Sequence, residues 1–194
     1  KCILKKEKLK FKLLWLKEKN SMIRDKLKKQ EIGIVIKQDI LENLVNTSYL
    51  ALGSNIGNRK NFINKAKYYL NKLPLHIVKS SGIYETTSWP NSKDPKFYNT
   101  VIKVKTSLNI NNLFTQIKII EKKLGRKFKA KKNSPRTCDI DIIDFKGICT
   151  NKIYRNQKIT VPHKRMHKRN FVLMPLYEIN KRWKHPKIKK NIVN

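Results

Sequence analysis

Asp139 and Asp141 are the residues of this chain best placed to do chemistry. They stand at i and i+2 in Pro135-Arg136-Thr137-Cys138-Asp139-Ile140-Asp141-Ile142-Ile143, an apolar run entered through basic residues. Alternate side chains of a strand share a face, so the two carboxylates project together, roughly 7 Å apart at Cβ, while Ile140 and Ile142 face a core. Two like charges in such a place are costly without cations. A pair of divalent ions suits the spacing, and Arg136 and Lys132 nearby imply that phosphate arrives with them. The bland alternative is an edge strand with a solvated acidic face. Cys138 alternates with the aspartates and should point inward as a small hydrophobe. His163 and His167 stand four apart, but no Cys or acidic neighbour completes a zinc set.

The elements that must position these groups can be read from residue 48 onward. Residues 48 to 53 form a short apolar strand, followed by a turn through Gly53-Ser54-Asn55 and Gly57. Phe62, Ala66, Tyr69, Leu70 and Leu73 fall at helical spacing, with Asn58 as cap and Pro74 as stop. Residues 76 to 84 and 97 to 106 read as strands rich in Ile, Val, Thr and Tyr, joined by a long loop that contains Pro90 and Pro95. A second amphipathic helix carries Leu113, Ile117, Ile120 and Leu124, with Asn109 as cap and Gly125 at its end. The acidic strand follows. Strand, helix, strand, strand, helix, strand is the split pattern of a ferredoxin-like βαββαβ sandwich, an α+β fold with both helices on one face of the sheet and the other face free for ligands. Phe171 to Leu176 should form a short apolar helix or turn that packs back on this core. The final dozen residues, basic and weakly patterned, should be peripheral.

Charge and composition limit the function classes. The 194 residues include 46 Lys and Arg against 13 Asp and Glu, a net charge of +33. That excess is spread along the whole chain and rises together with Ile and Asn, as a background bias would produce. The surface would still attract polyanions, of which nucleotide phosphates are the smallest. Cys2, Cys138 and Cys149 are odd in number and lack CxxC spacing, which favours a reducing compartment and argues against a disulfide framework or zinc ribbon. No apolar run approaches a membrane span and no signal peptide is visible, so a cytoplasmic location is expected.

Four separated blocks, in order, resemble the 6-hydroxymethyl-7,8-dihydropterin pyrophosphokinases of folate biosynthesis. They are Tyr49-Leu50-Ala51-Leu52-Gly53-Ser54-Asn55, Ser107-Leu108 through Gly125-Arg126, Pro135-Arg136-Thr137-Cys138-Asp139-Ile140-Asp141, and Val161-Pro162-His163 through Arg169-Asn170-Phe171-Val172-Leu173. The resemblance implies transfer of pyrophosphate from ATP to the pterin hydroxymethyl group with release of AMP. It implies two Mg2+ ions held by Asp139 and Asp141. Arg126, Lys132 and Arg136 match basic positions of the catalytic loop and its exit. Glu121, Ile142, His163 and Arg169 match positions on the ATP side. For the pterin, it implies contacts from Thr86 and Trp89, a polar edge read by Asn99, and an aromatic sandwich of Phe97 and Phe171; a register slip of one would substitute Tyr98 for Phe97. A flat polar heterocycle is well held by two rings and an amide that both donates and accepts.

This chain departs from the better-known relatives in two loops. Arg126 to Pro135 has Phe128, Lys132 and Asn133 where further arginines and often a tryptophan stand, and lysine lacks the bidentate fork of arginine. Thr87-Ser88-Trp89 replaces prolines of the pterin loop, which makes its stiffness an open matter. Residues 1–47 lie outside the match, so an N-terminal extension is expected before a catalytic domain at 48–194. Phe11 to Leu16 and Glu31 to Lys37 alternate like strands and resemble the last strands of dihydroneopterin aldolase, which implies a fused or neighbouring aldolase, although this segment is too short for that activity. The competing reading is a basic RNA-binding module on a ferredoxin-like fold. It lacks the aromatic K/R-G-F/Y-G/A-F-V-x-F/Y run, and carboxylates facing an anionic ligand would repel it.

Overall fold

Small and apolar residues from Asn46 to Ser54 form β1 (Asn46–Ser54), the strand on which the other elements are arranged. The computed structural model describes residues 46–88, 91–126 and 134–192, all within one compact unit, Leu44–Asn194. After β1 come α1 (Arg59–Leu70), β2 (Leu75–Ser80), β3 (Tyr84–Thr86), β4 (Phe97–Thr106), α2 (Ile110–Lys123) and β5 (Asp139–Phe145). A hairpin of β6 (Thr150–Tyr154) and β7 (Gln157–Val161), a 3-10 turn at Met166–Lys168 and α3 (Asn170–Ile179) complete the described part. The fold is α+β. β1 pairs antiparallel with β4 on one side and β5 on the other, and β2 and β3 both pair antiparallel with β4.

Both expected helix caps are formed. The Asn58 side chain accepts from the backbone N–H of Asn61 at 3.0 Å, and Asn109 accepts from that of Asn112 at 2.9 Å, each satisfying a donor that the first helical turn leaves over. Gly125, at φ +85°, ends α2 in the left-handed region. The strand expected at 76–84 is instead divided into β2 and β3. At the break, Ser81 Oγ accepts from the Val101 N–H at 3.0 Å, so a side chain takes over a donor that the next ladder position would have used. The β6–β7 hairpin was not expected at all.

The two faces of the sheet are filled differently. Leu50, Leu52, Ile102 and Ile140 pack against Ala66 and Leu70 of α1 and Leu113 and Ile117 of α2, so both helices contribute to one core. On the opposite face, Tyr49, Val101 and Ile143 pack with Met166, Val172, Leu176, Ile179 and Trp183. That corrects the expectation of a free second face: α3 is apolar enough to need burial, and it covers the middle of the sheet. Only the rim beyond the start of α3 is left for ligands. The final dozen residues are also less peripheral than expected. Trp183 and His185 are buried, and Trp183 Nε1 donates to Asp144 Oδ2 at 2.9 Å.

Candidate active site

At that rim the register of β1 brings the key positions into line. Gly53 pairs with Asn99 on β4 and with Asp139 on β5, and Ala51 pairs with Val101 and Asp141. Phe97, Asn99, Gly53, Ala51, Asp139 and Asp141 therefore share one face and open into one cleft of about 720 Å³. Gly53 lets side chains of β4 close over it: a Cβ there would sit 3.2 Å from Asn99 Oδ1, which would have to give by a few tenths of an ångström, and in ordinary contact 3.6 Å from the Phe97 ring. Thr86 on β3, Arg126 after α2, Arg136 before β5, His163 and Arg169 after β7, and Phe171 on α3 complete the expected part of the lining. Tyr98, the alternative ring, points away and packs 3.8 Å under the Arg59 guanidinium.

The two aspartates sit in unequal surroundings. Arg126 donates to Asp139 Oδ1, and Arg136 Nη1 donates to Oδ2 at 3.0 Å. Burial works to raise the Asp139 carboxyl, but Arg126, Arg136 and Lys118 outweigh it and hold it below its ordinary value. Asp141 is more open, with His163 Nε2 at 3.9 Å and Arg169 Nη1 at 3.8 Å. Desolvation and the charge of Asp139 push it upward, against the opposing pull of His163, Lys118 and Arg169. His163 is lowered, first by burial and then by Arg169 and Arg165, with Asp141 opposing. Each carboxylate oxygen has two lone pairs, so arginine contact does not saturate Asp139. Two hard oxygen donors fit Mg2+, which keeps several waters and takes further oxygens from phosphates instead of needing an all-protein cage. No group of three or more His, Cys, Asp and Glu capable of holding a metal occurs among the described residues.

Two expected residues lie elsewhere. Glu121 is fully buried beneath the cleft, where its carboxylate accepts from Lys118 Nζ at 2.7 Å, from the Ile140 N–H at 2.8 Å and from Arg126. Burial raises its carboxyl above the usual range, with Lys118 opposing. It holds Arg126 from behind instead of meeting a ligand in the cleft. Ile142 belongs to an adjoining cavity of about 450 Å³, walled by Phe114, Lys118 and Ile159, which shares Asp141 and His163 with the cleft. Trp89 and Lys132 fall outside the described residues. Cys138 is fully buried, with its thiol pushed up by desolvation, as its alternation with the aspartates required.

The sequence reading missed Arg165, Lys168 and Asn170, which also line the cleft. Arg165 and Lys168 belong to the run His163-Lys164-Arg165-Met166-His167-Lys168-Arg169, where a uniformly basic background hides which cations border the cleft. Their proximity to His163 was the available signal. Among the described residues, the cationic side chains of Arg126, Arg136, Arg165, Lys168 and Arg169 thus line a cleft that also holds Asp139, Asp141, Phe97 and Phe171.

Comparison with known proteins gives this geometry its context. The family model for 7,8-dihydro-6-hydroxymethylpterin-pyrophosphokinase (HPPK) matches residues 49–181. The 2-amino-4-hydroxy-6-hydroxymethyldihydropteridine pyrophosphokinase of Aquifex aeolicus is 41% identical over 140 residues, covering 72% of this chain and 84% of that protein. Its namesake in Bacillus subtilis is 38% identical over 135 residues, covering 69% and 78%. The folic acid synthesis protein fol1 of Pneumocystis carinii is 39% identical over 138 residues, 71% of this chain but 18% of that much longer protein. Among solved structures, Plasmodium falciparum HPPK-DHPS with pterin and p-hydroxybenzoate has a similar fold, with a TM-score of 0.60 at 17% identity, covering 76% of this chain and 42% of that one. The fused neighbour in that structure is DHPS and not an aldolase. The aldolase-like pattern of the N-terminal segment lies outside the described residues. Motifs, cleft and relatives converge: this chain belongs to the 7,8-dihydro-6-hydroxymethylpterin-pyrophosphokinase family, the pyrophosphokinases of folate biosynthesis.

Proposed function

We propose that this chain transfers the pyrophosphoryl group of ATP to the hydroxymethyl oxygen of 6-hydroxymethyl-7,8-dihydropterin and releases AMP, with Asp139 and Asp141 as the seat of two Mg2+ ions. The observation that carries the reading is that one cleft holds both aspartates together with Phe97, Phe171 and Asn99. Phe97 and Phe171 supply faces for the heterocycle, and Asn99 supplies an amide for its polar edge. Thr86 steadies that amide, since Asn99 Nδ2 donates to Thr86 Oγ1 at 2.9 Å. Trp89 is assigned to the same pterin side and Lys132 to the phosphates by the family resemblance alone. The adjoining cavity around Ile142, Phe114 and Ile159 suits the adenine, and Asp141 and His163, common to both spaces, suit the passage of the triphosphate between them.

In the transfer, a bond forms between the pterin oxygen and the β-phosphorus as the bond from that phosphorus to the α-phosphate bridging oxygen breaks. AMP leaves with that electron pair on its phosphate oxygen, and the hydroxyl proton passes to solvent. The chain's task is alignment and neutralisation of charge. Arg126 and Arg136 are held by the Asp139 carboxylate before any ligand arrives, so they need little rearrangement as charge develops, and Arg169 stands 3.8 Å from Asp141. Asp139 and Asp141 would hold the Mg2+, whose chemistry there would be to neutralise charge on the phosphates.

The strand order β2-β4-β1-β5, with two helices on one face, supports reading the core as a ferredoxin-like sandwich with C-terminal additions. The RNA-binding alternative loses support because α3 occupies the middle of the sheet face that such a module would present. A cytoplasmic enzyme is consistent with free thiols at Cys138 and Cys149, and no helix among the described residues is long and apolar enough to cross a membrane. AMP release from ATP, Mg2+ and 6-hydroxymethyl-7,8-dihydropterin tests the proposal directly. The parent should turn over, and Asp139→Ala and Asp141→Ala should each lose about 100- to 1000-fold or more while keeping the far-UV spectrum of a folded chain. Near-normal turnover in both variants would reject the metal role.

A further inference from the structure

Asn55 lies one residue beyond β1, is 2% exposed, and does not line the cleft. Yet its amide joins two segments that do. Nδ2 donates to the Pro95 carbonyl at 3.2 Å, and Oδ1 accepts from the Arg136 N–H at 2.7 Å. The Asn55 backbone N–H in turn donates to the Arg136 carbonyl at 3.2 Å. The partners fix the orientation of the amide, since a carbonyl can only accept and a backbone N–H can only donate. Asn is the side chain that supplies both functions at this reach; Asp would set a carboxylate against the Pro95 carbonyl, and Leu would take from the Arg136 N–H its acceptor and leave Pro95 to the Ser88 hydroxyl alone.

What the amide joins gives it consequence. Pro95 closes the loop that runs from Thr87 to Phe97, where prolines expected from the family are replaced. Hydrogen bonds hold its described ends: the Ser88 hydroxyl donates to the Pro95 carbonyl at 2.6 Å, and Arg59 Nη1 donates to the next carbonyl, Lys96, at 2.8 Å. On the other side, Arg136 reaches Asp139 at 3.0 Å, and its guanidinium carbon lies 5.9 Å from the Phe97 ring centroid. One buried amide thus ties the loop on the pterin side to the backbone of an arginine on the phosphate side.

We propose that Asn55 is a positioning residue for the pyrophosphoryl transfer, a tether that makes placement of the pterin loop and placement of Arg136 a single event. The inference rests on the proposed function, since it needs a heterocycle at Phe97 and phosphate at Arg136. In the absence of the tether, both substrates still bind, but the nucleophile and the neutralising arginine lose their common reference. Misplacement on the scale of an ångström costs roughly 100-fold in such reactions.

The test compares the parent, Asn55→Ala, Asn55→Asp and Ser88→Ala in steady-state AMP release, with melting temperature and the affinity for an ATP analogue carrying a methylene between the α- and β-phosphates. Asn55→Ala should lower kcat by about 10- to 100-fold and raise the pterin KM, with analogue affinity within threefold of the parent. Asn55→Asp keeps the acceptor for Arg136 and loses the donor for Pro95, so its main effect should be on the pterin KM, as should that of Ser88→Ala. Values of kcat and pterin KM within twofold of the parent in Asn55→Ala would overturn the tether. So would parallel loss of both affinities together with melting temperature, which marks a general structural role. If Asn55→Ala does not fold, a pterin KM within twofold of the parent in both Asn55→Asp and Ser88→Ala overturns it equally. A parent that releases no AMP would refute the proposed function itself, which is a different result from an active parent matched by its variants.

Discussion

Two aspartates two residues apart on β5 do unlike jobs because their neighbours differ. Asp139 is gripped by two arginines and held below its ordinary value, whereas Asp141 is pushed upward by burial and by Asp139; in the proposed function a cation bound there would oppose that push. Glu121 extends this chain of charge below the floor, fixing Arg126 from behind and bonding the Ile140 N–H between the two aspartates. The same logic of partners defines Asn99. One of its amide hydrogens is committed to Thr86, which leaves the oxygen and the second hydrogen to read a heterocycle's edge. Asn99→Leu should therefore weaken pterin binding by about 10- to 100-fold, the scale of leaving a buried hydrogen-bonding group unpaired, and leave ATP affinity unchanged. Titration of each ligand separately checks this, and equal losses for both would count against a pterin-specific role.

The elements show which local signals are reliable. Asn58 and Asn109 were recognisable as caps from their place before an apolar helical repeat, and both cap as expected. Asn109→Ala should cost about 1 kcal/mol, seen as a lower urea midpoint at unchanged slope; a midpoint equal to the parent's would show that the cap is dispensable. The missed β6–β7 hairpin turns on Arg155 and Asn156, at φ 49° and 58°. Asn is a common choice for that left-handed conformation and Arg is not, so only half of the usual turn signal was present. The split between β2 and β3 was hidden for another reason. Ser81 looks like any strand residue until its hydroxyl is seen to take the Val101 N–H across the sheet.

At the scale of the whole molecule, the C-terminal segment is tied across the sheet by polar bonds that a basic, weakly patterned sequence does not advertise. Asn180 Nδ2 donates to the Tyr49 hydroxyl at 2.8 Å, and Trp183 reaches Asp144. His185 Nδ1 accepts from the N–H groups of Lys187 at 3.2 Å and Ile188 at 3.3 Å. Burial, with His167 and Lys187 adding and Asp144 opposing, lowers the His185 imidazole below its ordinary value. The neutral ring is the one that fits. Because the folded value lies below the unfolded one of about 6.5, the unfolded chain takes up this proton first, so the contribution is full above that pH and is lost as pH falls below it. Between pH 7 and 5.5 the urea midpoint of the parent should drop further than that of His185→Gln; identical drops would exclude His185 as a source of the acid sensitivity.

The sequence by itself determined the periodic and local features: the paired carboxylates on one strand face, the helix caps, the βαββαβ order of elements and the four ordered blocks of the family. Alternation, capping and turn preference act over a few residues, so they are legible in the chain. Only the tertiary structure decided that α3 covers the second face of the sheet, that Glu121 lies beneath the cleft and not in it, that Arg165 and Lys168 line the cleft, and that Asn55 bridges Pro95 and Arg136. The Asn55 bridge and the packing of the C-terminal segment depend on contacts between segments 40 to more than 100 residues apart, and Glu121 accepts from the Ile140 N–H across a shorter gap of 19. There the free energy of burying an apolar helix or pairing a buried amide outweighs anything that local spacing can express.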